Sequence, residues 1–193
     1  MKTRWAIFSL WDKTGAVELA QTIVNYGYQI LATSRTAQVL STGGVDVTEV
    51  SQWTGAPEIL GGRVKTIHPK IAAGILSLRQ DESVEPIDLV VCNLYPFADG
   101  IKQGCSLKEL IELIDIGGVT LLRAAAKNWF FVTPVPAPQY YQLIVEEFKR
   151  NGEVSPLKRL ELARITFELT GSYDRLIANY FAEIVDKYPS IDV

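Results

Sequence analysis

Residues 5–32 read WAIFSL (5–10), WDKTG (11–15), AVELAQTIVNYGY (16–28) and QILA (29–32), and their succession decides the fold. The first piece is a short apolar run bounded by a turn, the pattern of a buried strand. The second carries Asp, Thr and Gly, which favour turns. In the third, Val17, Leu19, Ala20, Ile23 and Val24 share one face at helical spacing, and Gly27 can end that helix. The fourth is again a short apolar strand. Strand, helix, strand in this order predicts a parallel sheet covered by helices.

The pattern extends downstream. Thr33-Ser34-Arg35-Thr36 opens a helix through Val39 and Leu40, which Gly43-Gly44 stops, and Val45–Val50 alternates as a third strand. Gly61–Pro69 has no period and reads as a loop. Ile87–Leu94 is a continuous apolar run, as a buried parallel strand should be. Ser106–Ile114 reads as a helix with Ser106 as cap and Glu109 completing a capping box. Asp115-Ile116-Gly117-Gly118 is a turn before an Ala-rich helix over Val119–Lys127. Phe130–Val135 is the last expected strand, interrupted by Pro134. From Pro138 onward the chain reads as helix only, with Leu169, Tyr173, Leu176, Ile177, Tyr180, Phe181 and Ile184 on one stripe. The expectation is one α/β domain over residues 1–193, with a core at 1–136 and a helical tail at 137–193.

Hydrophobic residues make up 48% and charged residues 21%, which suits a globular domain. A net charge of −3 gives no nucleic-acid footprint, so a small anion would need a local cationic pocket. Cys92 and Cys105 do not make a disulfide framework. There is no signal peptide and no apolar run long enough to span a membrane, so the reading is cytoplasmic.

In open α/β sheets, ligands bind beyond the carboxyl ends of the strands. The segments there are Trp11–Gly15, Thr33–Thr36 and Asn93-Leu94-Tyr95-Pro96. Two of them open helices, whose first N–H groups can cradle a phosphate. Asp12, Thr14 and Thr36 would serve equally as plain helix caps. Arg63, Lys65 and His68 form either a basic functional loop or a solvated turn. His68 is the only histidine, so zinc is not expected. On pattern alone Asp115 reads first as a cap; with Gly117-Gly118 and Lys127 it also suits an acid–base pair beside backbone donors. No triphosphate-binding or dinucleotide fingerprint occurs.

Four segments together carry a resemblance: DKTG at 12–15, GGRVKTIHP at 61–69, CNLYPF at 92–97 and DIGGVTLLRAAAKN at 115–128. They resemble the IMP cyclohydrolase domain of bifunctional AICAR formyltransferase/IMP cyclohydrolase. The resemblance implies a methylglyoxal-synthase-like three-layer α/β fold with a mostly parallel sheet and a C-terminal helical extension. It implies a hydrolase of purine biosynthesis that closes formylated AICAR (FAICAR) to IMP with no cofactor and no metal. Lys127, Lys65, Asp115 and Tyr95 would be the catalytic set. Around the nucleotide it places Ser9, Trp11, Asp12, Lys13 and Thr14, then Thr33, Ser34, Arg35 and Thr36. It adds Arg63, Val64, Thr66, Cys92, Asn93, Ile116, Gly117 and Gly118.

Three departures stand out. Trp11 replaces the family's usual Ser, Thr33-Ser34-Arg35-Thr36 replaces Ser-Gly-Gly-Thr, and Trp129 replaces His. The first two fall on the expected phosphate cradle, where Arg35 can bind phosphate bidentately in place of lost backbone contacts. A rewritten cradle keeps a second reading open, a non-catalytic purine-nucleotide-binding module. A phosphate lyase on the same fold is a third. The chain has no room for the formyltransferase domain that normally follows. Either it is a stand-alone cyclohydrolase, which would take its formylated substrate from a separate formyltransferase, or it is one domain of a longer protein. Tyr140, Tyr141, Tyr173, Tyr180 and Phe181 read first as core and second as a homodimer surface.

Overall fold

The computed structural model describes residues 3–187. The last six residues assigned to the helical tail, 188–193, and the first two of the chain lie outside the described residues. Five strands form one sheet: β1 (Arg4–Leu10), β2 (Tyr28–Ala32), β3 (Val47–Glu49), β4 (Ile87–Asn93) and β5 (Thr133–Val135). Their order is β3-β2-β1-β4-β5 and every neighbouring pair is parallel.

The helices are α1 (Ala16–Asn25), α2 (Ser34–Thr42), α3 (Val50–Thr54), α4 (Pro69–Leu76), α5 (Phe97–Lys102), α6 (Leu107–Glu112), α7 (Gly117–Lys127), α8 (Tyr141–Asn151) and α9 (Pro156–Lys187). Side chains alternate across β1. Ala6, Phe8 and Leu10 point into a core with Leu19, Ala20 and Ile23 of α1, Leu40 of α2 and Phe148 of α8. Trp5 and Ile7 point the other way, among Ile71 and Ile75 of α4 and Leu121, Leu122 and Ala125 of α7. Two helical layers thus sandwich the sheet, which is the expected α/β architecture.

Several local readings need correction. The third strand is shorter than Val45–Val50, because Glu49 and Gln52 form a capping box that starts α3 at Val50. The loop after His68 gives way to α4, which the sequence reading missed, as it missed α5. Pro134 sits inside β5 rather than interrupting it. β5 is an edge strand, where a missing N–H costs no ladder bond. The turn expected at 115–118 already belongs in part to α7, which begins at Gly117.

α9 is 32 residues long, about 48 Å at 1.5 Å per residue. It packs on α7 and β5, with Leu162, Ala163, Thr166 and Thr170 buried. Of the aromatic residues weighed between core and surface, Tyr141 is buried, Tyr140, Tyr173 and Tyr180 are half-buried, and Phe181 is exposed. Phe97 stacks edge-on against both Tyr173 and Tyr180. No helix among the described residues is long and apolar enough to cross a membrane.

Candidate active site

β1 and β4 lie side by side, with Leu10 opposite Asn93 in register. The chain goes on from β1 to its neighbour β2, and from β4 to β5 on the other side. The gap beyond their carboxyl ends is therefore a topological switch point, where sheets of this kind bind ligands. An open cavity of about 680 Å³ occupies it. One wall comes from the strand ends and α2: Ser9, Leu10, Trp11, Thr33, Arg35, Asn93 and Tyr95. The facing wall comes from the loop carrying Gly61, Gly62, Arg63, Lys65 and Thr66, and from the α6–α7 connection at Ile111–Gly118.

Asn93 shapes the first wall. Its Oδ1 accepts the N–H groups of Trp11 at 2.7 Å and Asp12 at 2.9 Å, while its Nδ2 donates to the Asp12 carbonyl at 2.7 Å. Three bonds from one buried amide fix the turn that carries Trp11. Asn93→Ala is expected to cost about 1–3 kcal/mol of stability and to weaken nucleotide binding. Denaturant unfolding and ligand titration check this; an unchanged midpoint and affinity would refute the clamp.

Trp11 is 46% exposed and leans on Tyr95 with ring centroids 5.1 Å apart and planes at 60°. It borders the cavity without plugging it. Lys13 turns back on its own loop, Nζ donating to the carbonyls of Leu10 at 3.0 Å and Trp11 at 2.9 Å. Partial burial holds its ammonium below the usual lysine range. The charges of Arg35 and, more weakly, Lys65 push the same way. Lys13 itself does not line the cavity, but Arg35 and Lys65 do, and an anion between them would relieve the repulsion among the three cations. Arg63 is not among them: it forms a two-pronged ion pair with Glu112 across the exposed rim.

Asp115 occupies the other wall at the start of α7. Its Oδ1 accepts the Gly118 N–H at 2.6 Å. The N-cap position is Ile116, one residue later than the cap reading puts it, yet Asp115 still ties down a first-turn N–H of α7 from within the site. Burial pushes its carboxyl above the usual carboxylate range. The Gly118 N–H opposes this most strongly, followed by the Lys65 charge and the Tyr95 backbone amide. The double glycine makes room: a Cβ on Gly117 would stand 2.5 Å from Thr66 Oγ1. One expectation is corrected here. The Gly118 N–H is committed to Asp115, so it is not open to a developing oxyanion.

The remaining sequence expectations divide sharply. Lys65, Tyr95 and Asp115 line one cavity with Ser9, Thr33, Thr66, Ile116, Gly117 and Gly118. Lys127 does not join them. It is exposed at the far end of α7, about 15 Å along the axis from Gly117, so within one chain its amine is not beside Asp115. Its neighbour Asn128 is structural, donating to the carbonyls of Ile75 at 2.7 Å and Ser77 at 3.0 Å. Cys92 is buried in the core at 1% exposure. Thr36 is buried and accepts the Leu10 N–H at 3.2 Å, while Ser34 donates to Glu58. Asp12 and Thr14 close a local turn, the Thr14 N–H donating to Asp12 Oδ1. Val64 bridges to Ile59. None of these lines the cavity. His68 Nδ1 caps α4 by accepting the Lys70 N–H at 3.2 Å, which leaves the lone histidine outside the site as well.

Sequence reasoning missed Leu113 and Ile114 in the cavity wall and Tyr173 behind it. Tyr173 is 58 residues from Asp115, and no local pattern links them.

The family model of the MGS-like domain matches residues 15–120, and that of the AICARFT/IMPCHase bienzyme matches residues 125–192. Curated relatives named "Bifunctional purine biosynthesis protein PurH" come from Persephonella marina, Rippkaea orientalis and Thermosynechococcus vestitus. They are 46%, 48% and 49% identical over 96%, 97% and 94% of this chain. The chain spans 38%, 39% and 37% of their lengths. A solved structure described as the crystal structure of ForH has a TM-score of 0.77 at 30% identity, covering 93% of this chain and 100% of that one.

Proposed function

This chain belongs to the MGS-like domain family, and on that premise we propose that it is an IMP cyclohydrolase, closing FAICAR to IMP with loss of water. The observation that carries the reading is the meeting of Lys65, Tyr95 and Asp115 around one cavity at the switch point, with Arg35 in its wall. The kinship with PurH proteins supports the choice of substrate.

The chemistry fits the geometry. The carboxamide nitrogen of FAICAR is a weak nucleophile, but its target, the formyl carbon, is in the same molecule. Holding the two groups together supplies much of the rate. Asp115 accepts a proton from the attacking nitrogen as the C–N bond forms. The formyl oxygen gains negative charge, and Lys65, with Tyr95, stabilises it. Lys65 protonates that oxygen to a hydroxyl on the closed ring. The proton held by Asp115 then passes to the hydroxyl, which leaves as water. The former formamido nitrogen gives its proton back to Lys65, leaving IMP and both side chains as they began. The nucleotide phosphate lies toward Arg35 and the N-terminus of α2. The site residues need no metal or organic cofactor for these steps. The reading carries a cytoplasmic location and a formyltransferase as the source of substrate.

Lys13 folded onto its own turn and Arg35 in place of glycine favour one competitor, a module that binds purine nucleotides without turnover. Incubation with FAICAR, followed by IMP absorbance, separates the two. Acceleration over the uncatalysed closure is expected. Tight IMP binding with no acceleration would replace the enzyme by the module.

A further inference from the structure

Asp115 is fixed at both ends, and one of the fixing groups comes from the helical tail. Its carboxyl is held by the Gly118 N–H at 2.6 Å. Its backbone N–H donates at 2.9 Å to the hydroxyl of Tyr173, which lies in the middle of α9. The same hydroxyl donates at 2.8 Å to the carbonyl of Leu113. One phenol therefore bridges the two residues that flank Ile114, where α6 ends and α7 has yet to begin. Leu113, Ile114 and Asp115 all line the cavity, so this short connection is also its wall.

We propose that Tyr173 is a positioning residue: its hydroxyl staples the Leu113–Asp115 turn and so aims the Asp115 carboxyl into the cavity. A connection this short has few backbone bonds of its own. The Leu113 N–H reaches back to the Leu110 carbonyl at 3.0 Å and the Ile114 N–H to the Ile111 carbonyl at 3.1 Å. The Asp115 N–H has the phenol instead. The ring is braced by Phe97, edge-on at 6.5 Å, so the hydroxyl is presented from a packed position. Burial raises the phenol to about 12, which keeps it a donor through neutral and mildly alkaline pH. α9 is thereby part of the site's construction as well as a cover for α7.

Tyr180 supplies the control. It sits on the same helix, seven residues further on, and packs edge-on against the same Phe97 at 5.7 Å. Tyr173→Phe and Tyr180→Phe each delete one hydroxyl from this aromatic cluster. The first readout is hydrogen exchange of the Asp115 amide, which needs no substrate. Tyr173→Phe is expected to speed it at least ~10-fold, and Tyr180→Phe to leave it at the wild-type rate. The second readout is kinetic and rests on the cyclohydrolase reading. Tyr173→Phe is expected to lower kcat ~10- to 100-fold with KM changed less than about twofold. Tyr180→Phe keeps both. Equal Asp115 exchange in the two variants overturns the staple, and so does an unchanged kcat in Tyr173→Phe. A wild-type protein that fails to close FAICAR, with Asp115 exchange still accelerated in Tyr173→Phe, overturns the proposed reaction and upholds the staple.

Discussion

Asp115→Asn is expected to reduce ring closure by about 10²–10⁴-fold while leaving IMP affinity close to that of the wild type. Asparagine has nearly the same shape, and its Oδ1 can still accept the Gly118 N–H that now ends on the aspartate at 2.6 Å. The turn and the helix start are therefore preserved. What disappears is the ability to accept a proton from the carboxamide nitrogen. A second consequence concerns stability. Burial raises the Asp115 carboxyl above its ordinary value, and its partners only partly offset that. Between the unfolded and the raised folded pKa, the native protein binds more protons than the unfolded chain. Stability therefore falls as pH rises through that window, and the ionised group carries the full cost above it. Asparagine carries no such cost. At neutral pH the variant should melt higher by about 1–3 °C, and the gain should vanish in acid below both values. Steady-state rates and thermal melts across pH measure the two effects. Wild-type turnover in the variant would remove Asp115 from the reaction; a lower melting point at neutral pH would contradict its strained burial.

The fold was legible where apolar runs and turns alternate cleanly. WAIFSL, QILA and IDLVVCN became β1, β2 and β4, with α1 between the first two. Short elements escaped for identifiable reasons. α4 buries only Ile71, Gly74 and Ile75, and α5 has six residues, too few for a helical period to emerge. Pro134 looked like a strand breaker because the sequence does not say which strand lies at the edge. The site was legible in part. Loops after strands pointed to Trp11, Thr33, Arg35, Asn93 and Tyr95, which line the cavity, and equally to Asp12, Lys13, Thr14, Ser34 and Thr36, which do not. Lys127 shows the limit of reading along the chain. The 115–128 block looks like one functional unit, yet an 11-residue helix carries its two ends apart. Tyr173 shows the converse, since its hydroxyl makes two bonds to backbone groups about 60 residues away, and these depend on how α9 packs.

Gly118→Ala should remove most of the activity through a single methyl group. A Cβ at that position would lie 2.4 Å from Asp115 Oδ2, 2.9 Å from its Cγ and 3.0 Å from Oδ1. Such contacts cannot be tolerated, so something must move. The Asp115 backbone is held by Tyr173 through its N–H, and Gly118 is packed at the start of α7. The carboxyl is what gives way, rotating off the Gly118 N–H and out of line with the substrate. A displacement near 1 Å at an acid–base group costs on the order of 10²-fold in turnover. The fold should suffer little. Gly118 is the second residue of α7, where alanine gains only part of the ~1 kcal/mol interior propensity advantage, against a lost first-turn hydrogen bond of about 1 kcal/mol. Gly171 in α9 gives the contrast, because a Cβ there meets nothing within 4 Å. Gly171→Ala should raise stability by about 0.5–1 kcal/mol and leave turnover alone. Paired kinetics and melts of the two variants decide the matter. If Gly118→Ala closes the ring at the wild-type rate, the carboxyl can work from another position and the close approach of helix start and aspartate has no part in the reaction.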